Sequence, residues 1–204
     1  MKNGDLADLV SFIFELGQLK RTPRSGWLKL GVDNPESVAD HSFRTAAIGF
    51  LLGKLEGENP YEVAGYCLFH DLAETRTMDL DWLAQNYLEK EDSISSDVIA
   101  VQIDGLPAEL KSGMSELLIR SSQSDRLVSI ARDADLLDLI FQALELTYHG
   151  KPLARKWFEN TVPALKTESG KLIGEYLIER EQENDLEQLV TWWERDGPNR
   201  VQDS

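Results

Sequence analysis

The sequence predicts an all-α protein, a bundle of about eight to ten helices. Three observations carry that expectation. Apolar residues recur at three- and four-residue spacing along most of the chain, as they do on the buried stripe of an amphipathic helix. No stretch shows the alternating β-branched pattern of a strand. The periodic stretches are separated by Gly- and Pro-containing breakers such as "EGENP" and by Gly150 and Pro152. With 204 residues, 42% hydrophobic and 28% charged, the chain is soluble and globular in composition and long enough to bury a substantial core.

Each element follows from its own residues. Positions 5–20 place Leu6, Leu9, Ile13 and Leu16 on one stripe. The next segment, "RTPRSGWLKLGVDNPES", holds two prolines and two glycines and reads as an irregular loop. Ser37 is a natural cap for a helix over 38–55. Pro60 opens a third helix expected to run through His70 to Glu74. A short helix is expected over 79–89, then a polar connection, "EKEDSISSD", and a helical segment divided by Pro107. Positions 125–149 form the strongest pattern, with Leu127, Ile130, Ala134, Leu137, Phe141 and Leu144 on one stripe. Two or three more helices fill 153–195, and "DGPNRVQDS" should fray.

The formal net charge of −15 argues against a nucleic acid polymer as partner, since such proteins carry a basic face. A small phosphorylated substrate remains compatible, because a bound cation and a few arginines can invert the field within one pocket. No apolar run approaches bilayer length, and the N-terminal residues lack a signal-peptide pattern, so no membrane association is expected. A single cysteine, Cys67, excludes an internal disulfide and suits a cytoplasmic location, with the thiol buried and inert.

Chemistry-bearing residues are few. The histidines are His41, His70 and His149, and His70 is followed directly by Asp71. A further acidic group, "ARDADLLD", offers Asp133, Asp135 and Asp138. Imidazole and carboxylate together suit a divalent transition metal, and two of each leave coordination positions for water or substrate. Adjacent ligands on a helix point about 100° apart, so His70 and Asp71 reach one ion only over a helix end or flank. Periodicity does not rank the three aspartates, because the apolar stripe takes Ala134 and Leu137 and leaves all three on its flanks. The same residues could instead serve as helix caps and first-turn carboxylates.

The order "VADHS", "HDLAE", "DADLL" resembles the H…HD…D pattern of the HD-domain metal-dependent phosphohydrolases. The spacings are 29 residues from His41 to His70 and 64 from Asp71 to Asp135. The flanking text "LKRTPRSGW", "NPESVADHSFR" and "DADLLDLIFQALE" is similar to the 5'-deoxynucleotidase branch. The likeness implies a single HD domain over 1–204, with a motif core at about 16–147 and C-terminal helices over 152–196 packed on it. It implies that His41, His70, Asp71 and Asp135 are metal ligands and that Glu74, four residues after His70, handles a proton. Asp79 and Trp27 match substrate-facing positions, with Asp79 near the sugar.

The chain departs from the family's text at three places. Gly26 stands where bacterial members carry an arginine before the tryptophan, Met78 replaces the usual glycine before the aspartate, and Arg76 is an additional cation. Arg24 or Arg76 is therefore the candidate for gripping phosphate. The resemblance implies hydrolysis of deoxyribonucleoside 5'-monophosphates with one divalent cation, since two-metal members add histidines and only His149 is spare. Histidine ligands favour Mn, Co, Fe or Ni over Mg, and structural Zn tends toward four ligands without an open position, so Mn, Co, Fe or Ni is expected ahead of Mg or Zn. A homodimer is implied as well. The alternatives are an HD enzyme acting on nucleoside triphosphates or another phosphate ester, and a silent nucleotide-binding scaffold.

Overall fold

The computed structural model describes residues 3–87, 91–120 and 125–192. The described residues form helices and turns, with one isolated antiparallel bridge between Pro23 and Ser37. In chain order the helices are α1 (Asn3–Leu16), α2 (Ser25–Leu28), α3 (Val38–Leu55), α4 (Pro60–Phe69), α5 (Glu74–Thr77) and α6 (Trp82–Gln85). Then come α7 (Glu91–Asp104), α8 (Ala108–Ser115), a π-helical turn (Glu116–Arg120), α9 (Asp125–Tyr148), α10 (Arg155–Thr161), α11 (Glu168–Gln182) and α12 (Glu187–Val190). None of the described helices is long and apolar enough to cross a membrane.

The core is built around α9. Leu127, Ile130, Ala134, Leu137 and Leu144 of the expected stripe are buried, and so are Ala131, Ile140 and Ala143, because helices cover α9 on several sides. α3 and α4 lie against it as an antiparallel pair joined by the expected break. Their approach depends on glycine: a Cβ at Gly49 would stand 2.7 Å from Cys67 Sγ, and one at Gly53 would stand 3.0 Å from Pro60 Cα. This antiparallel pairing brings the start of α3, which carries His41, beside the end of α4, which leads to His70. Cys67 is 1% exposed, and burial pushes its thiol up to about 12, as expected of an inert core cysteine.

A second, smaller core joins Phe12, Leu72, Ile103, Leu106 and Leu118. Here α1 differs from the expected stripe. Leu9, Phe12 and Leu16 pack inward, whereas Leu6 is 42% and Ile13 57% exposed. Phe12, out of phase with the simple pattern, sets the buried face, and α1 ends at Leu16 rather than near residue 20. Three further expectations are corrected. The helix over 60–74 stops at Phe69, and residues 70–73 form a turn before α5. Most of the polar "EKEDSISSD" is helical, since α7 begins at Glu91. The expected helix over 79–89 is a single turn, α6, capped by Asp81 accepting from the Leu83 and Ala84 amides. The terminal "DGPNRVQDS" lies outside the described residues.

Candidate active site

His41 owes its position to the start of α3. Ser37 and Asp40 form a reciprocal capping box, Asp40 N donating to Ser37 Oγ at 3.1 Å and Ser37 N to Asp40 Oδ2 at 2.9 Å. The Val38 amide donates to the Thr22 carbonyl at 2.9 Å, tying the helix entry to the preceding loop. His41 is therefore fully buried in the first turn of a rigidly capped helix.

His70 is the C-cap of α4, with its Nδ1 2.6 Å from the Cys67 carbonyl oxygen. That contact fixes Nδ1–H as the donor and leaves Nε2 free as a ligand. The turn that follows resolves the 100° problem of adjacent ligands. Leu72 and Ala73 are 1% and 3% exposed, and Leu72 anchors in the smaller core, so the backbone bends around them and presents His70 and Asp71 to the same cavity. Glu74 opens α5 beyond the turn, and the proximity to His70 comes from this bend rather than from a continuous helical face.

The four expected ligands converge. Ligand atoms of His41, His70 and Asp71 lie within 4.8 Å of one another. His41 Nε2 is 3.2 Å from Asp135 Oδ1 and 3.5 Å from Asp71 Oδ2, and His70 Nε2 is 3.3 Å from Asp71 Oδ1. His41 Nε2 and Asp71 Oδ2 are buried without a hydrogen-bond partner. Buried polar atoms left unpaired are costly, so two of them facing each other describe the donor set of a cation. Electrostatics agree: burial opposes the charged imidazole, yet Asp135 and Asp138 push His41 up to about 10. This surplus of negative charge fits a divalent metal.

The three aspartates of α9 take three different positions. Asp135 faces the cavity. Asp138, fully buried, stands behind His41 with Oδ2 2.6 Å from Nδ1, fixing the ring and its tautomer as carboxylates do for metal-bound histidines. Arg44 holds Asp138 in turn, and its other nitrogens reach Gln142 at 2.8 Å and Glu145 at 2.8 Å. Glu36, His41 and Asp138 form a second acidic group, but Arg44 already supplies its positive charge. Asp133 points away, accepting from the Lys166 amide at 3.0 Å and the Thr167 amide at 2.7 Å at the start of α11.

The cavity beside the ligands is about 450 Å³ and is lined by acids and by Trp27, Trp82, Trp157, Leu136 and Leu139. Glu74 lines it; burial first, then the charges of Asp71 and Asp79, push its carboxyl up to about 9. Asp79 lines it too, clasped by Ser25 Oγ at 2.7 Å and Arg24 Nη1 at 3.1 Å. Burial works against the Arg24 charge, but Asp71, Asp135 and Asp79 hold its pKa above the ordinary value. Trp27 is 2% exposed, donates from its indole to Glu36 at 3.0 Å, and stacks on Trp157 with centroids 4.7 Å apart.

The departures from the family's text have structural counterparts. Gly26 admits Trp157: a Cβ there would lie 2.6 Å from the indole. Met78 adopts φ +64°, a conformation suited to glycine, at the turn that delivers Asp79. Arg76 does not line the cavity; it makes a two-armed ion pair with Glu15, including Nη2 to Oε2 at 2.9 Å. His149 follows α9 as expected for a helix terminus, with Gly150 at φ +85°, and lies away from the ligand cluster. The sequence reading did not single out Asp138's place behind His41 or the cavity-lining Arg132 and Trp157. For Asp138 the i, i+3 spacing from Asp135 is a usable signal.

Residues 16–174 match the HD domain family. The mouse 5'-deoxynucleotidase HDDC2 is 32% identical over 145 residues, covering 70% of this chain and 72% of the relative. The fission yeast Schizosaccharomyces pombe 5'-deoxynucleotidase hdd1 is 26% identical over 178 residues, 76% of this chain and 88% of that one. Among solved structures, a protein from Archaeoglobus fulgidus is 36% identical with a TM-score of 0.58, covering 85% of this chain and 95% of its own. One from Pyrococcus horikoshii is 28% identical with a TM-score of 0.66, covering 83% and 96%. With its capped His41, its His70–Asp71 turn and Asp135 converging on one cavity, the chain belongs to the HD-domain family.

Proposed function

We propose that this protein is a metal-dependent 5'-deoxynucleotidase, hydrolysing deoxyribonucleoside 5'-monophosphates to nucleoside and phosphate. The observation that carries the reading is the pair of buried, unpartnered ligand atoms, His41 Nε2 and Asp71 Oδ2, 3.5 Å apart at a nucleotide-sized cavity that Asp71 lines. The relatives named as 5'-deoxynucleotidases support the choice of substrate.

His41, His70, Asp71 and Asp135 would hold one divalent cation, which supplies Lewis acidity to the phosphoryl group when bound. The imidazole-rich set favours Mn, Co, Fe or Ni over Mg or Zn. Asp138 and the Cys67 carbonyl orient the two rings, so the donor set is preorganised. Glu74, whose burial and acidic neighbours favour the protonated carboxyl in the metal-free site, lines the cavity as the acid that delivers a proton to the 5' oxygen as the phosphorus–oxygen bond breaks. The carboxylate then takes a proton from the attacking water, which restores the acid. Asp79, held by Arg24 and Ser25, meets the sugar, while the Trp27–Trp157 wall and Trp82 give the base an aromatic surface. A homodimer located in the cytoplasm completes the reading.

The test is phosphate release from a panel of deoxy- and ribonucleotides across a series of added divalent metals. Preference for deoxyribonucleoside 5'-monophosphates is expected, with loss in Glu74→Ala. Activity on triphosphates with none on 5'-monophosphates would overturn the assignment.

A further inference from the structure

We propose that Arg132 is the phosphate clamp of this site, gripping the oxygens of the 5'-phosphate that face away from the cation. The inference deepens the reading above and takes its substrate class from it.

The cavity is lined by five acids, Asp71, Glu74, Asp79, Asp81 and Asp135, and by two arginines. A phosphate dianion entering this lining needs positive charge beyond the one cation that the ligands can hold. Arg24 is already committed: it is paired to Asp79 at 3.1 Å and lies 3.8 Å from Asp71. Arg76 faces Glu15 outside the cavity. Lys29 pairs with Asp81. Arg132 is exposed, lines the cavity and makes no ion pair or hydrogen bond among the described residues. It precedes Asp135 by three residues on α9, which puts the two on the same helical face, about 5–6 Å apart at Cβ. A guanidinium on that stem reaches over Asp135 to a phosphate held at the cation and presents the planar fork that suits two phosphate oxygens.

The test titrates the full-length, metal-loaded protein with inorganic phosphate and separately with deoxyadenosine, by calorimetry. Arg132→Ala is expected to weaken phosphate about tenfold or more while leaving deoxyadenosine within about twofold and the bound metal unchanged. Arg132→Lys, which keeps the charge without the fork, should fall between. Unchanged phosphate affinity in Arg132→Ala overturns the clamp, and so does an equal loss for both probes, which would make Arg132 a wall residue. Phosphate release from deoxyribonucleoside 5'-monophosphates by the unmodified protein is measured alongside. An inactive protein that still binds phosphate through Arg132 overturns the nucleotidase reading and leaves the clamp standing; one that binds no phosphate overturns both.

Discussion

Asp138→Asn removes one charge from the centre of the network behind His41 and keeps the side chain's shape. The carboxylate receives His41 Nδ1 at 2.6 Å and Arg44 Nε, and it is fully buried. Hydrogen bonds to a charged group are each worth about 1.5–3 kcal/mol, and an asparagine can accept only one of these two. Arg44 would keep Gln142 and Glu145, so its charge is not stranded. The net loss is about 3 kcal/mol, which for a chain of this size lowers Tm by roughly 6–12 °C. The second consequence is specific to the site. An imidazole without its carboxylate partner is a weaker and less oriented ligand, so affinity for Mn2+ should fall about 10–100-fold. Calorimetric Mn2+ titration and thermal unfolding of metal-stripped protein read the two effects independently. A lower Tm with unchanged Mn2+ affinity would refute the orienting role, and no change in either would refute the energetic argument altogether.

Asp133→Ala provides the contrast on the same helix: losing the bonds from the Lys166 and Thr167 amides should cost about 2–4 kcal/mol in thermal unfolding and leave Mn2+ affinity unchanged. Met78→Gly should raise stability by about 1 kcal/mol, roughly 2–4 °C in Tm, because φ +64° strains a non-glycine residue; a lower Tm would show that Met78 packing outweighs the strain. In metal-stripped protein, stability should fall as pH rises. His41, raised from 6.5 to about 10, contributes stability present below 6.5 and lost as pH rises through 10, and Glu74, raised from 4.5 to about 9, costs stability progressively above 4.5. The Tm gain on adding Mn2+ should accordingly be larger at pH 9 than at pH 6.5, and thermal scans showing a smaller gain would contradict this balance.

Much of this architecture was legible because it is local. The stripe of α9, the Ser37 cap and the Pro60 start are written in consecutive residues, and the histidine and aspartate motifs keep a recognisable order. What was not legible depends on distant partners. Leu72 and Ala73 continue an apolar pattern, so nothing near them announces a turn; it forms because Leu72 finds Phe12 and Ile103 in the smaller core. Asp133, Asp135 and Asp138 all flank the α9 stripe. Although the i, i+3 spacing pairs Asp135 with Asp138, it is the loop before α11 and the ring of His41 that fix the roles of Asp133 and Asp138. Phe12 overrides the expected face of α1 for the same reason. Arg132 carries no local signal at all, since one arginine on a helix is ordinary until its neighbours are known to be paired.

The acidic character of the chain and an anionic substrate are reconciled inside this one cavity. In the proposed reading, Asp71 and Asp135 line the cavity that takes the phosphate, and their charges would repel it until a cation lies between them. Arg24 does not relieve that repulsion, because Asp79 and Asp71 already neutralise it; its work is to hold the turn that carries Asp79. The field around the phosphate position is therefore set by the cation and by whichever cation-bearing side chain is still unpaired. This balance predicts an order of binding: the metal, drawn by the acids, is expected to enter before the 5'-phosphate. In that reading the base faces indole and leucine while Asp79 meets the sugar, so nucleoside binding is expected to depend far less on the metal than phosphate binding does.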